Sequence, residues 1–193
     1  MISKRHLLLN FALFQLAWFA CVLGGANGLP AAGLFAVAIA VGVHLYLSAA
    51  PATEFRLVLI VGLLGAAWDS FVVSAGLMSY PSGMMIAGVA PYWIIAMWIN
   101  FAVTLNVSMG WLKARPLLAA VFGALGGPLS YLAGYKLGGV DIPDLWVGLG
   151  VQAAGWAAIM PSLTVLAGKV DGVVLSKGQR TASEEAFGVT GNV

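Results

Sequence analysis

Asp69 is an acidic side chain in the middle of an apolar run, and it is the first residue whose chemistry has to be explained. It lies thirteen residues beyond Arg56, about 20 Å along a helix that rises 1.5 Å per residue. Facing hydrocarbon, a carboxyl costs at least about 2.5–3.5 kcal/mol, so Asp69 is expected to face protein or water. Gly62, Gly65, Ala66, Val73 and Gly76 share its helical stripe, and small residues let a neighbouring backbone come close. Two readings stay open: a proton relay or binding group for a polar or cationic ligand, and a hydrogen-bonded carboxyl that locks helices together. No Lys or Arg reaches that depth, so the carboxyl is expected to be largely protonated at neutral pH and hydrogen-bonded to Asn100, Gln152 or Tyr131.

A second polar stripe runs through Asn100, Thr104 and Ser108, spaced i, i+4, i+8 and flanked by Trp93, Met97 and Trp111. Asn100 and Gln152 come close to the depth of Asp69. With Thr104 and Tyr131 they make up an expected midplane polar site, or else plain interhelical hydrogen bonding. Asn10, His44 and Asn106 are polar groups toward the cytoplasmic side. His44 has no carboxylates at ligand spacing, so no metal site is expected. Gly123 and Gly127 form a small-xxx-small pair, and Pro128 removes one backbone hydrogen bond from the same helix. Phosphate loops, nucleophile elbows, zinc motifs and paired carboxylates are all missing, so no catalytic residue and no cofactor is assigned. The single cysteine, Cys21, excludes an intrachain disulfide.

The elements that must position these residues follow from composition. Of 193 residues, 61% are hydrophobic and 8% charged, and the mean hydropathy is +0.97. A water-soluble domain carries about 25% charged residues. The pattern therefore predicts an all-α membrane protein, a six-helix transmembrane bundle with both termini cytoplasmic. One domain over residues 1–168 would hold spans at about 7–23, 29–49, 56–77, 91–112, 116–135 and 145–167. Residues 169–193, rich in Gly, Ser, Thr and charge, would form a mobile cytoplasmic tail. With the N-terminus inside, Lys4, Arg5, Arg56, Lys113, Arg115, Lys169, Lys177 and Arg180 fall on the cytoplasmic side and only Lys136 outside. Tyr80, Tyr92, Trp93 and Trp146 would belt the outer interface. The Ser79–Ala90 connection, with apolar Met84-Met85-Ile86-Ala87, would lie on that interface or fold back as a shallow lid.

The segments Pro91-Tyr92-Trp93-Ile94, Met97-Trp98, Phe101-Ala102, Thr104-Leu105-Asn106 and Trp111-Leu112, with Gly126-Gly127-Pro128-Leu129-Ser130-Tyr131, carry a resemblance. They resemble a bacterial inner-membrane family known as domain of unknown function 2878. The resemblance spans nearly the whole chain and brings no established activity. It implies a place near enzymes that modify membrane fatty acids, with membrane lipids, lipid-modifying enzymes or another membrane protein as partners and no nucleic acid. Three function classes follow, in this order. The first is a non-catalytic accessory or scaffold linked to lipid modification or membrane stress. The second is a small transporter or solute-binding subunit built around Asp69, and the third is a membrane-embedded enzyme.

Overall fold

In a computed structural model, which describes residues 2–173, the chain forms six α-helices and one short 3-10 turn. They are α1 (Lys4–Ala26), α2 (Ala31–Leu47), α3 (Pro51–Ser74), α4 (Tyr92–Leu105), α5 (Pro116–Lys136) and α6 (Leu145–Lys169), with the turn at Gly110–Leu112. By length and composition, α1, α3, α5 and α6 can each cross a membrane; α2 and α4 are apolar but shorter. The starts are encoded locally. The Ser3 hydroxyl accepts from His6 N, the Asp144 carboxylate accepts from Val147 N, and Pro51 and Pro116 open α3 and α5. Proline suits the first turn because its missing N–H would have no partner there.

Most boundaries lie within three residues of the spans expected from the sequence, residues 174–193 of the expected tail lie outside the described residues, and two boundaries differ by more. Helix α3 starts at Pro51, ahead of Arg56, which draws Glu54 into the first turn of the helix and out of the connecting loop. Helix α4 stops at Leu105, well short of Leu112. There Val107 N and Met109 N both bond Thr104 O, and the Asn106 amide turns to Glu54 and to the Val170 carbonyl. The Asn100, Thr104, Ser108 stripe is therefore broken, because Ser108 and Trp111 lie beyond the helix. The other end of α3 is shaped by Gly76, at φ +70°. Leu77 N bonds Val72 O in a glycine cap that turns the chain back over its own helix.

Helix α4 is the centre of the bundle. Nine of its fourteen residues are buried, the mark of a helix enclosed on most sides. It packs against α1, α2 and α3 and touches α6, while α5 and α6 pack mainly on each other as a hairpin. That hairpin is tight because Gly123 and Gly127 are buried against α6. A methyl on Gly123 would collide with the Trp156 backbone, and one on Gly127 with the Trp156 ring. Pro128 lies inside α5 without ending it.

Successive helices run in alternating directions, which side-chain contacts at both ends establish. At one end the close of α2 (His44), the start of α3 (Glu54), the close of α4 (Asn106) and the residues after α6 converge on one cluster. Lys113 reaches Asp171 at 2.7 Å there. At the other end Ser79 and Asp141 exchange two backbone hydrogen bonds, joining the α3–α4 loop to the α5–α6 loop. The α3–α4 loop is further pinned by Ser82 Oγ on Gly25 O and by Ala90 N on Ser70 Oγ. Met85 and Ile86 at its tip are exposed.

Candidate functional site

Asp69 is fully buried, five residues before the end of α3. That is about 27 Å from Pro51 at 1.5 Å per residue, nearer one end of the bundle than its middle. Three neutral donors surround it. The Tyr131 hydroxyl lies 2.7 Å from Oδ1, the Tyr80 hydroxyl 3.3 Å from the same oxygen, and the Trp98 indole N–H donates to Oδ2 at 2.5 Å. An indole N–H can only donate, so Oδ2 is an acceptor in any protonation state. With both phenols donating as well, the arrangement fits a carboxylate and not the neutral acid expected from the sequence. Tyr80, in the loop beyond α3, keeps its proton: burial, then the nearby Asp69, hold its hydroxyl well above the ordinary tyrosine range.

Each contact traces to a local feature. The glycine cap after α3 returns the chain so that Tyr80 comes back over Asp69. Gly65 has no side chain, and a methyl there would overlap the Trp98 ring, so Trp98 can lie flat against α3 and reach Asp69. Tyr131 arrives from α5.

The three rings that hold Asp69 form part of the wall of a cleft of about 560 Å³. The cleft runs between α1 and α4 on one side and the α5–α6 hairpin on the other, and Asp69 stands behind its wall. Phe14, Trp18, Trp93, Met97, Phe101 and Trp156 also line it, and Gln15 and Ser130 add polar side chains. Aromatic packing fixes the wall: Trp98 stacks on Trp156 with ring centroids 4.7 Å apart, and Phe101 meets Trp156 edge-on at 5.3 Å. Gly123, Gly126 and Gly127 of α5 line the cleft; Gly126 leaves space beside it, while Gly123 and Gly127 let Trp156 of α6 pack close. Phe11 and Phe19 of α1, and Phe122 and Leu129 of α5, are exposed and also line the cleft. Its mouth therefore opens on the apolar flank of the bundle. The Trp18 indole donates to Ser130 Oγ at 3.1 Å, joining α1 to α5. Among the described residues the buried Trp156 N–H has no hydrogen-bond partner.

The remaining expected site residues are dispersed. Gln152 accepts from the Trp68 indole at 3.0 Å and points its amide nitrogen at Met78 Sδ. Asn100 donates to the Phe14 carbonyl at 3.0 Å, and Thr104 donates to Phe101 O of its own helix. Neither Asn100 nor Gln152 touches Asp69. Of the grouped residues, only Tyr131 does.

A second polar cluster forms at the opposite end, around a residue that the sequence reading passed over. Glu54 is fully buried. Its Oε2 lies 2.8 Å from His44 Nε2, and its Oε1 accepts from Asn106 Nδ2 at 2.7 Å and from Gly172 N at 2.5 Å. Asn10 donates to Val103 O at 2.9 Å and accepts from the Ser108 hydroxyl close by. The cluster ties four helix ends together. Its sequence signal was the acid at the fourth position of a proline-started helix, where a carboxylate suits the helix dipole. Among the described residues, no three His, Cys, Asp or Glu side chains are placed to share a metal ion.

A family described as Protein of unknown function (DUF2878) matches residues 7–162. No curated protein and no solved structure matches the chain.

Proposed function

Because the chain belongs to the DUF2878 family, whose function is unknown, its activity has to be read from its own site, and we propose that it is a multi-pass membrane protein that holds a lipid-like molecule in the cleft between α1 and α5. The observation that carries this reading is the cleft's shape and position. It is aromatic-walled, has open space beside Gly126, and its mouth opens on an apolar flank. A volume of about 560 Å³ is in the range of small-molecule sites, and the lining has too few polar groups to desolvate a sugar or nucleotide. Rings, methyls and two small polar side chains are groups that hold a ligand. In this reading the protein shelters or presents a membrane-derived amphiphile to a lipid-modifying enzyme, without transforming it.

All six helices cross the bilayer in this proposal. The end bearing Lys4, Arg5, Arg56, Lys113, Arg115 and Lys169 faces the cytoplasm, because Lys and Arg are retained there. The shorter α4 is flanked by neighbours that shield it from lipid, and the pinned α3–α4 loop fills the space beyond its start. In intact cells, a cysteine at Met85 should react with a membrane-impermeant maleimide and one at Lys113 should not. The reverse pattern would refute the orientation.

Mass spectrometry of the protein released from a mild detergent tests the cleft itself. Wild type should carry an apolar adduct of lipid mass. Gly126→Trp should lose at least about nine-tenths of it, since a side chain at Gly126 meets only Phe122 Cε1, at 3.9 Å, and a large ring can extend into the cleft. Equal adduct on both proteins would exclude the cleft as the binding place.

A further inference from the structure

Asp69 is buried among three hydrogen-bond donors, and none of them is a cation. Among the described residues the one Lys or Arg paired with a carboxylate is Lys113, with Asp171, and it lies at the other end of the bundle with the His44–Glu54 contact. An intramembrane carboxylate without a charged partner among the described residues leaves a negative potential around it, weakly screened where water is excluded. That potential reaches the cleft through the rings of Tyr80, Trp98 and Tyr131. Each ring turns its polar hydrogen toward Asp69 and lines the cleft. Trp98 has its faces covered by α3 and by Trp156, which is stacked on it and itself lines the cleft.

We infer that the cleft selects amphiphiles with a cationic ammonium head, seated against the Tyr80, Tyr131 and Trp156 rings with Asp69 as the buried counter-charge. An aromatic surface binds an ammonium through the ring quadrupole, and the attraction grows once water is stripped away. A hydrated metal ion would need more polar ligands than Gln15 and Ser130 supply. A quaternary or methylated ammonium makes no such demand, because its surface is apolar and its charge diffuse. The alkyl chain would then run along the glycine face of α5 toward the mouth. Asp69 acts through the rings, so it is a positioning and charge-setting residue here, not a contact. This inference rests on the lipid-binding reading above and narrows it to one class of head group.

The test is competition against a photoactivatable alkyl probe bound to the full-length protein in nanodiscs of a zwitterionic lipid. Three competitors share a sixteen-carbon chain: the trimethylammonium, the neutral alcohol and the sulfate. The trimethylammonium should compete about tenfold better than the alcohol, with the sulfate weakest. Asp69→Asn should cut the ammonium preference to about twofold and leave competition by the alcohol unchanged. Trp156→Leu, which leaves the carboxylate and its donors in place, should shrink the same preference by several-fold. It keeps the test open if the Asp69 variant does not fold. Free tetramethylammonium at the same concentration should compete at least about a hundredfold less well than the long-chain form. If the ammonium, alcohol and sulfate compete equally, the inference falls while the lipid reading stands. If no long-chain compound competes, or if tetramethylammonium matches the long-chain form, the lipid reading itself falls.

Discussion

Glu54→Leu is expected to lower the melting temperature of the detergent-solubilised protein by roughly 6–20 °C, the equivalent of about 3–5 kcal/mol in a chain of this size. The substitution keeps a similar volume and removes the acceptor on which three groups from separate parts of the chain converge. His44 Nε2, Asn106 Nδ2 and Gly172 N would all be left in a site that water does not reach. An orphaned buried donor costs about 1–3 kcal/mol, and here α2, α4 and the segment after α6 each lose their tie to α3 at once. Glu54→Gln should cost much less, about 1–2 kcal/mol, because its carbonyl oxygen still accepts. Differential scanning fluorimetry of the three proteins checks the order. A Leu variant that melts with wild type would mean that the cluster holds nothing together.

Asp69→Leu should have the next largest effect, a loss of about 3 kcal/mol or more, since it strands the Tyr80 and Tyr131 hydroxyls and the Trp98 indole. The loss should also be visible locally. Trp98 is held between Asp69 and Trp156, so releasing its N–H should weaken the near-ultraviolet circular dichroism of the stacked pair. Asp69→Asn should keep the fold with a smaller loss. Its carbonyl can take the Trp98 hydrogen bond, and a phenol can rotate to accept from its amide. Leu and Asn variants with equal stability would contradict the three-donor arrangement.

Much of the helical organisation was legible because membrane helices announce themselves in composition. Apolar runs near 20 residues long, proline starts and glycine stops placed six helices within a few residues of where they lie. The exceptions have a common cause, which is side chains acting across helices. Nothing local to Asn106 says that α4 ends there; it ends because the amide reaches Glu54 and Val170. Nothing around Glu54 marks it as buried, since it sits beside Arg56 at what reads as a loop, and its partners are 10, 52 and 118 residues away.

The candidate site was legible in one residue and hidden in its company. Asp69 stood out as an acid in an apolar stretch, and depth counting pointed to Asn100 and Gln152 as partners. Counting along helices fixes height and leaves rotation about the axis free, so it could not tell that both face other neighbours. Tyr131, expected in the same site, does bond Asp69. Tyr80 read as an interfacial aromatic because the glycine turn that folds it back is a tertiary event. Trp98 read as one more apolar residue, although the absence of a side chain at Gly65 was the cue that something large packs there. The cleft is built from residues on four helices, and no pattern within one helix reports it.

The central claim is that a membrane-derived amphiphile occupies the cleft between α1 and α5, and photo-cross-linking in native membranes tests it most directly. A fatty-acyl probe carrying a diazirine near the chain middle would be incorporated by growing cells, cross-linked by light, and its adducts mapped by peptide mass spectrometry. Adducts should concentrate on Phe14, Met97, Phe101 and the Gly126–Ser130 stretch, with a several-fold excess over the outward-facing Phe35 and Leu63. Gly126→Trp should abolish the excess. Labelling spread evenly over the outer apolar surface, with Met97 and Phe101 unmodified, would contradict the account.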